Sequence, residues 1–184
     1  MKVETSELQK LFEVMEEKNL SITDVIAIVQ GKNEDKEMQL SSKGLPFTVD
    51  YSLTVEEMMG KAKLVNSNVT SANFPIPKEL AGKKVDKIAD LLDFNRFISS
   101  DDAITETSEK NCDSATIFEQ LAFAATYPDL GKKFPIVALG TVWRDASDDR
   151  LVPDLYFDDN KRKFYLVRFS TDWGDYCRFL GVRK

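Results

Sequence analysis

Two short runs of this sequence gather the side chains that dominate recognition surfaces, Trp143-Arg144-Asp145 and Trp173-Gly174-Asp175-Tyr176-Cys177-Arg178. Trp, Tyr and Arg combine a large rigid contact area with a polar handle. Trp143, Arg144, Asp145, Trp173, Asp175, Tyr176 and Arg178 are therefore the candidate binding residues. The same residue types near strand ends also seal cores and form cation–π contacts, so exposure decides between the two roles. Between the runs crowd Asp145, Asp148, Asp149, Asp154, Asp158 and Asp159. Hard cations take several carboxylate oxygens, and two carboxylates can serve as acid and base on a sugar. The spacing lacks the D-x-D-x-D-G order of a calcium loop, and aspartate is what turns demand. These six read as turn residues, and no metal, cofactor or catalytic residue is assigned.

Other chemistry is excluded by what the chain lacks. It contains no histidine, so it cannot build a Ser-His-Asp or Cys-His nucleophile pair, a His-ligated metal site or an imidazole proton switch. Cys112 and Cys177 stand far apart with no C-x-x-C, which removes a thiolate zinc cage and a thioredoxin-like pair. Both are expected to be free and buried, as in a reducing compartment. Gly140, Gly174 and Gly181 stand alone rather than in a phosphate-cradling loop, and Thr107-Ser108-Glu109-Lys110 does not give Ser-x-x-Lys. Net charge is −6. The segment from Phe134 to Lys184 holds nine basic and eight acidic residues, with no basic stripe of the kind that neutralises several phosphates, so nucleic acid is not an expected partner. No apolar leader or membrane-length run follows Met1, so a cytoplasmic protein without membrane contact is expected.

The elements that must position these residues follow from hydrophobic period. Leu8, Leu11, Phe12 and Met15, then Ile22, Val25, Ile26 and Val29, repeat the i, i+3, i+4, i+7 spacing of helical faces. Together they predict a helical hairpin over residues 1–40, too small to bury a core alone, which must dock on the main body, on a copy of itself or on a partner. From residue 41 onward a single domain is expected. Leu45 to Leu53 alternates like a half-buried strand, and Thr54 with Glu57 forms a capping box before a helix to about residue 63. Asn66 to Pro77 is loop chemistry. Val85 to Phe94 is short enough for a strand, but Val85, Ile88, Ala89 and Leu92 favour a helix. Ser99 or Ser100 caps a short helix that Asp101 and Asp102 support electrostatically. Ser114 to about Thr126 is a helix stopped by Pro128.

Ten of the 19 aromatics lie from Phe134 onward, and the texture there is β. Phe134 to Trp143 is nearly continuous apolar, as in a strand buried on both faces. Asp145 to Asp149 is a turn, Leu151–Phe157 and Lys163–Phe169 form a hairpin, and Tyr176–Val182 adds a strand. The stretch from Ser114, through Phe134-Pro135-Ile136-Val137-Ala138-Leu139-Gly140, to Arg178-Phe179-Leu180-Gly181-Val182-Arg183-Lys184 resembles bacterial proteins that share the helix, the apolar strand and the closing R-F-L-x-V-R-K; no activity comes with that resemblance. A helix followed by a Trp-containing β region with an aromatic-Arg strand is also similar to the C-type-lectin-like fold of formylglycine-generating-enzyme relatives and variable phage receptor-binding proteins. That resemblance implies a loop-borne ligand surface; the family's G-F-R ending is here Arg178-Phe179-Leu180.

The expected fold is α+β: helices packed on a mixed or antiparallel sheet built mainly from the C-terminal third, with the N-terminal hairpin appended. The expected function is a non-enzymatic binding or protein-interaction module. A histidine-free enzyme using carboxylates or a divalent metal, and a structural assembly subunit held by the N-terminal helices, are the competing classes.

Overall fold

The computed structural model describes residues 44–158 and 161–184. The helices expected over 1–40 lie outside the described residues, and so does any self-association through them. The described unit is an α+β fold of three helices and an eight-stranded mixed sheet. In chain order the elements are β1 (Leu45–Asp50), α1 (Val55–Lys61), β2 (Lys84–Leu92), α2 (Ser100–Glu109), β3 (Cys112–Ser114), α3 (Ile117–Thr126), a 3-10 turn (Leu130–Lys132), β4 (Ile136–Val137), β5 (Trp143–Arg144), β6 (Arg150–Asp158), β7 (Lys161–Arg168) and β8 (Arg178–Arg183). The strands run β1-β2-β8-β4-β6-β5, with β3 also on β8 and β7 also on β6. Only β4 against β8 is parallel among these pairings, and that pairing makes the sheet mixed.

The helices start where side chains can satisfy their first free N–H groups. Thr54 and Thr116 each accept from the backbone of a glutamate three residues on, Glu57 and Glu119, whose carboxylate reaches back to the cap's own N–H. Ser99 caps α2 by accepting from the Asp102 backbone, and Asp101 and Asp102 sit in its positive first turn. α3 begins three residues later than the expected Ser114, because Cys112–Ser114 pairs with Arg183–Gly181 as β3. Thr116→Ala, which removes one partner of the α3 capping box, is expected to lower the unfolding free energy by about 1 kcal/mol in a urea titration.

Period-two alternation sends neighbouring strand residues into two cores on opposite faces of the sheet. Ile136, Leu155 and Leu180 enter the larger one, under α1 and α3, while Val137, Val152 and Phe179 enter the smaller one beside Ile98 and Ala103. Strand β8 serves both, so Phe179, Leu180, Gly181 and Val182 are all buried. Val85–Phe94, for which helical spacing was expected to prevail, is instead strand β2, paired with β1 from Lys84 to Ala89 and with β8 from Ala89 to Leu92.

The long apolar strand expected over Phe134–Trp143 is also revised. Ile136 to Leu139 are buried, yet only Ile136 and Val137 form β4. The chain then leaves the sheet so that Gly140 N donates to Ala115 O at 2.9 Å. A Cβ on Gly140 would lie 2.1 Å from Ser114 O, so only glycine passes the β3–α3 connection this closely. Gln120 of α3 docks against the break, its Nε2 donating to Ile136 O at 2.6 Å. The chain rejoins the sheet as β5, opposite Leu151 and Arg150. No helix among the described residues is long and apolar enough to cross a membrane.

Candidate functional site

The loop from Phe169 to Cys177, between β7 and β8, organises most of the candidate residues. Its anchor is Trp173. The backbone of Trp173 exchanges hydrogen bonds with Ile98 at 2.9 and 3.0 Å, its ring meets Phe179 edge-on at 6.2 Å, and its indole N–H donates to Ser100 Oγ at 2.9 Å. Ser100 Oγ donates onward to Phe169 O at 2.6 Å. With every polar atom of the ring satisfied and 4 % exposure, Trp173 seals the smaller core. Its nomination as a recognition residue is therefore overturned, because the β2–α2 loop and the first turn of α2 cover it.

The exposed aromatic residues lie beside this anchor, Phe97 next to Ile98 and Tyr176 three residues beyond Trp173. Ile98 pairs with Trp173 as an antiparallel bridge, and the neighbouring Phe97 is exposed while Gly174 is buried. The Tyr176 ring lies over Gly174, where a Cβ would sit 2.3 Å from its edge. Phe97 and Tyr176 are 73 % and 63 % exposed, one on each of two loops whose backbones are hydrogen-bonded to each other through Ile98 and Trp173. Ion pairs flank them: Arg178 Nη2 to Asp93 Oδ2 at 2.8 Å, and Arg96 to Glu106. Arg178 also donates to Asp175 O at 3.2 Å and lies 5.1 Å from the Phe134 ring centroid, which makes it a brace for the loop. Asp175 is exposed.

The other run lands elsewhere. Trp143 is half-buried on the larger-core face, tilted against Phe74 at 6.0 Å, so it shares no surface with Arg144, whose side chain is on the opposite face. Asp145 builds the turn as expected: its Oδ1 accepts from Ser147 N at 2.8 Å and Asp149 N at 3.0 Å, and Asp148 takes φ +64°. Beyond the turn, Arg144, Arg150 and Arg168 line a cleft of about 220 Å³ with Asp148, Asp149, Phe169 and Ser170. Arg150 and Arg168 carry no compositional signal of their own. Counting back across the Asp145–Asp149 turn would have set Arg150 opposite Arg144.

Asp154 corrects the turn reading of the aspartates most sharply. It lies in the middle of β6, opposite Val137 on one side and Tyr165 on the other, with its Oδ1 lacking a hydrogen-bond partner among the described residues. Burial alone pushes its carboxyl up to about 7. The same burial, with the Asp154 charge nearby, pushes the Cys177 thiol up to about 11, while burial and Asp90 raise that of Cys112. Both cysteines are free and buried. Neither has the lowered pKa of a reactive nucleophile.

Among the described residues no three Cys, Asp or Glu side chains gather around a common metal position. A larger hollow of about 660 Å³ runs along β1 and β2, lined in part by Pro46, Thr48, Ile88 and Arg183. It converges no reactive group, and its arginine is already held by both oxygens of Asp90 at 2.7 and 2.8 Å. Comparison with protein families, with characterised proteins and with solved structures returned no match to this chain.

Proposed function

We propose that this chain is a non-enzymatic interaction module that engages another protein through the Phe97–Tyr176 surface. The observation that carries this reading is the pair of exposed aromatic rings on two loops locked together by the Ile98–Trp173 hydrogen bonds. Large aromatic side chains rimmed by ion pairs are the composition of interface centres, and anchors held rigid before binding lose little conformational freedom on docking. The carboxylate-enzyme alternative would need Asp154 to reach a substrate from a position only 8 % exposed.

The test places a photo-crosslinking side chain at position 97 or 176, with position 65 as control, since Val65 is 91 % exposed and belongs to the connection between α1 and β2. Positions 97 and 176 are expected to give the same discrete protein adduct in source cells, and position 65 none. The Phe97→Ser, Tyr176→Ser double variant should retain its stability, as surface changes do to within about 0.5 kcal/mol. It should also lose the adduct formed from a crosslinker at Asn95. Indistinguishable adduct patterns at positions 65, 97 and 176 would refute the reading.

A further inference from the structure

We propose that the cleft at the β5–β6–β7 end of the sheet is a binding site for a phosphate-type oxyanion, an inference independent of the Phe97–Tyr176 surface. The register places Arg144 of β5 directly opposite Arg150 of β6. Like charges opposite one another across an antiparallel pair are destabilising, and here nothing among the described residues neutralises both. Arg144 is paired with Asp148, Nη1 to Oδ1 at 2.8 Å. On the other side of β6, Arg168 grips Asp149 through Nε and Nη2 at 3.1 and 2.8 Å. Arg150 has no carboxylate partner among the described residues; its guanidinium lies over the Phe169 ring, with Cζ 3.8 Å from the centroid.

That contact seats the Arg150 guanidinium over the ring and uses none of its N–H donors, which can still reach an acceptor. Phe169 is held in turn, its N donating to Arg150 O at 2.8 Å and its carbonyl accepting from Ser100. The cleft lining therefore holds one guanidinium with no carboxylate partner among the described residues and two others that are each paired with a single aspartate. Three guanidiniums face two carboxylates in the lining, which leaves the cleft one positive charge in excess. A carboxylate has two oxygens and satisfies one fork. A phosphate group offers three or more acceptor oxygens and nearly two charges, enough to accept from Arg150 and from the outer N–H groups of Arg144 and Arg168 together. The ligand can be free phosphate or a phosphorylated side chain, which share this chemistry.

The experiment titrates inorganic phosphate and, separately, capped phosphoserine into the full chain at constant ionic strength, following the arginine Nε–H resonances by NMR. Saturable shifts of Arg144, Arg150 and Arg168 are expected with at least one of the two, and the tighter arm identifies the source. Arg150→Ala should weaken binding by about tenfold or more, the loss of one charge-assisted fork. Arg150→Lys should restore little of it, because an ammonium supplies charge without the planar pair of donors. Without ligand, Arg150→Lys should be about as stable as the parent, while Arg150→Ala gives up the contact with Phe169 as it relieves the Arg144 repulsion, so its unfolding equilibrium constant should shift by no more than about fivefold, or about 1 kcal/mol. Shifts that grow linearly without saturation, an Arg150→Ala variant that binds as well as the parent, or acetate binding as tightly as phosphate would each overturn the assignment.

Discussion

Trp173→Ala is expected to lower the unfolding free energy by roughly 3–5 kcal/mol, the range for truncating a buried large aromatic, and Trp143→Ala by clearly less. The indole of Trp173 fills the smaller core between Ile98 and Phe179, and its removal also strips Ser100 Oγ of the donor that it accepts from. Buried polar groups that lose a partner add to the cost of the cavity. Trp143 is half-buried against Phe74 at the margin of the larger core, so water can refill part of the space that it vacates. Urea denaturation of the two variants, read at equal slope, separates the cases. Equal losses would show that the 169–177 loop is not held by the Trp173 anchor.

Asp154→Asn is expected to stabilise the protein above neutral pH and to leave it nearly unchanged at acidic pH. In the unfolded chain this carboxyl ionises near 3.8, whereas burial holds the native proton to about 7. The native state therefore binds the proton more tightly, and the stability contributed by the protonated form is complete below about pH 4. It is lost as pH rises to 7 and is flat beyond. The loss has an upper bound of about 4 kcal/mol, since each tenfold difference in proton affinity between the native and unfolded chain is worth about 1.4 kcal/mol. An amide cannot ionise, so the variant's advantage should open over that interval. Guanidinium midpoints of parent and variant across pH 4 to 9 check it. Parallel pH profiles would mean that the Asp154 charge finds solvent or a partner.

The course of β2 shows how far the sequence could be read. Val85, Ile88, Ala89 and Leu92 fit a helical period, because the strand begins beside β1 with one face covered and ends beside β8, where Ala89 and Leu92 are buried on opposite faces. A strand passing from edge to centre changes its apolar pattern midway, and that mixture imitates 3.6 residues per turn. Local chemistry was legible: the Thr54 cap, the Ser99 cap and the Asp145 turn depend on residues within four positions of each other. The Phe134–Trp143 break was not, since Gly140 leaves the sheet to meet a carbonyl 25 residues away in the chain.

The candidate surface was legible only by composition. Tyr176 and Arg144 are exposed, as residue type suggests, but whether Trp173 points outward depends on its pairing with Ile98, which no local pattern encodes. Phe97 was missed because it stands outside both aromatic-rich runs. Asp154 carries the same letter as the turn aspartates, and its burial comes from strands β4 and β7 closing on either side.

The place of β8 bears on how the chain reaches this state. Residues 178–183 form the seam between two halves of the sheet, since β2 and β3 hydrogen-bond to β8 and β4 runs parallel to it. A nascent chain that has emerged only to residue 177 can hold the β1–β2 and β6–β7 hairpins, yet both halves keep open strand edges and uncovered apolar faces. Joining them closes loops such as the one between Ala89 and Val182, and pairings this distant in sequence fold slowly. Until β8 inserts, each half is a template for another copy's strands. Translation and chaperone capture thus compete at one step, and a frameshift or nonsense change ahead of residue 178 is expected to leave an aggregating chain rather than a smaller working one.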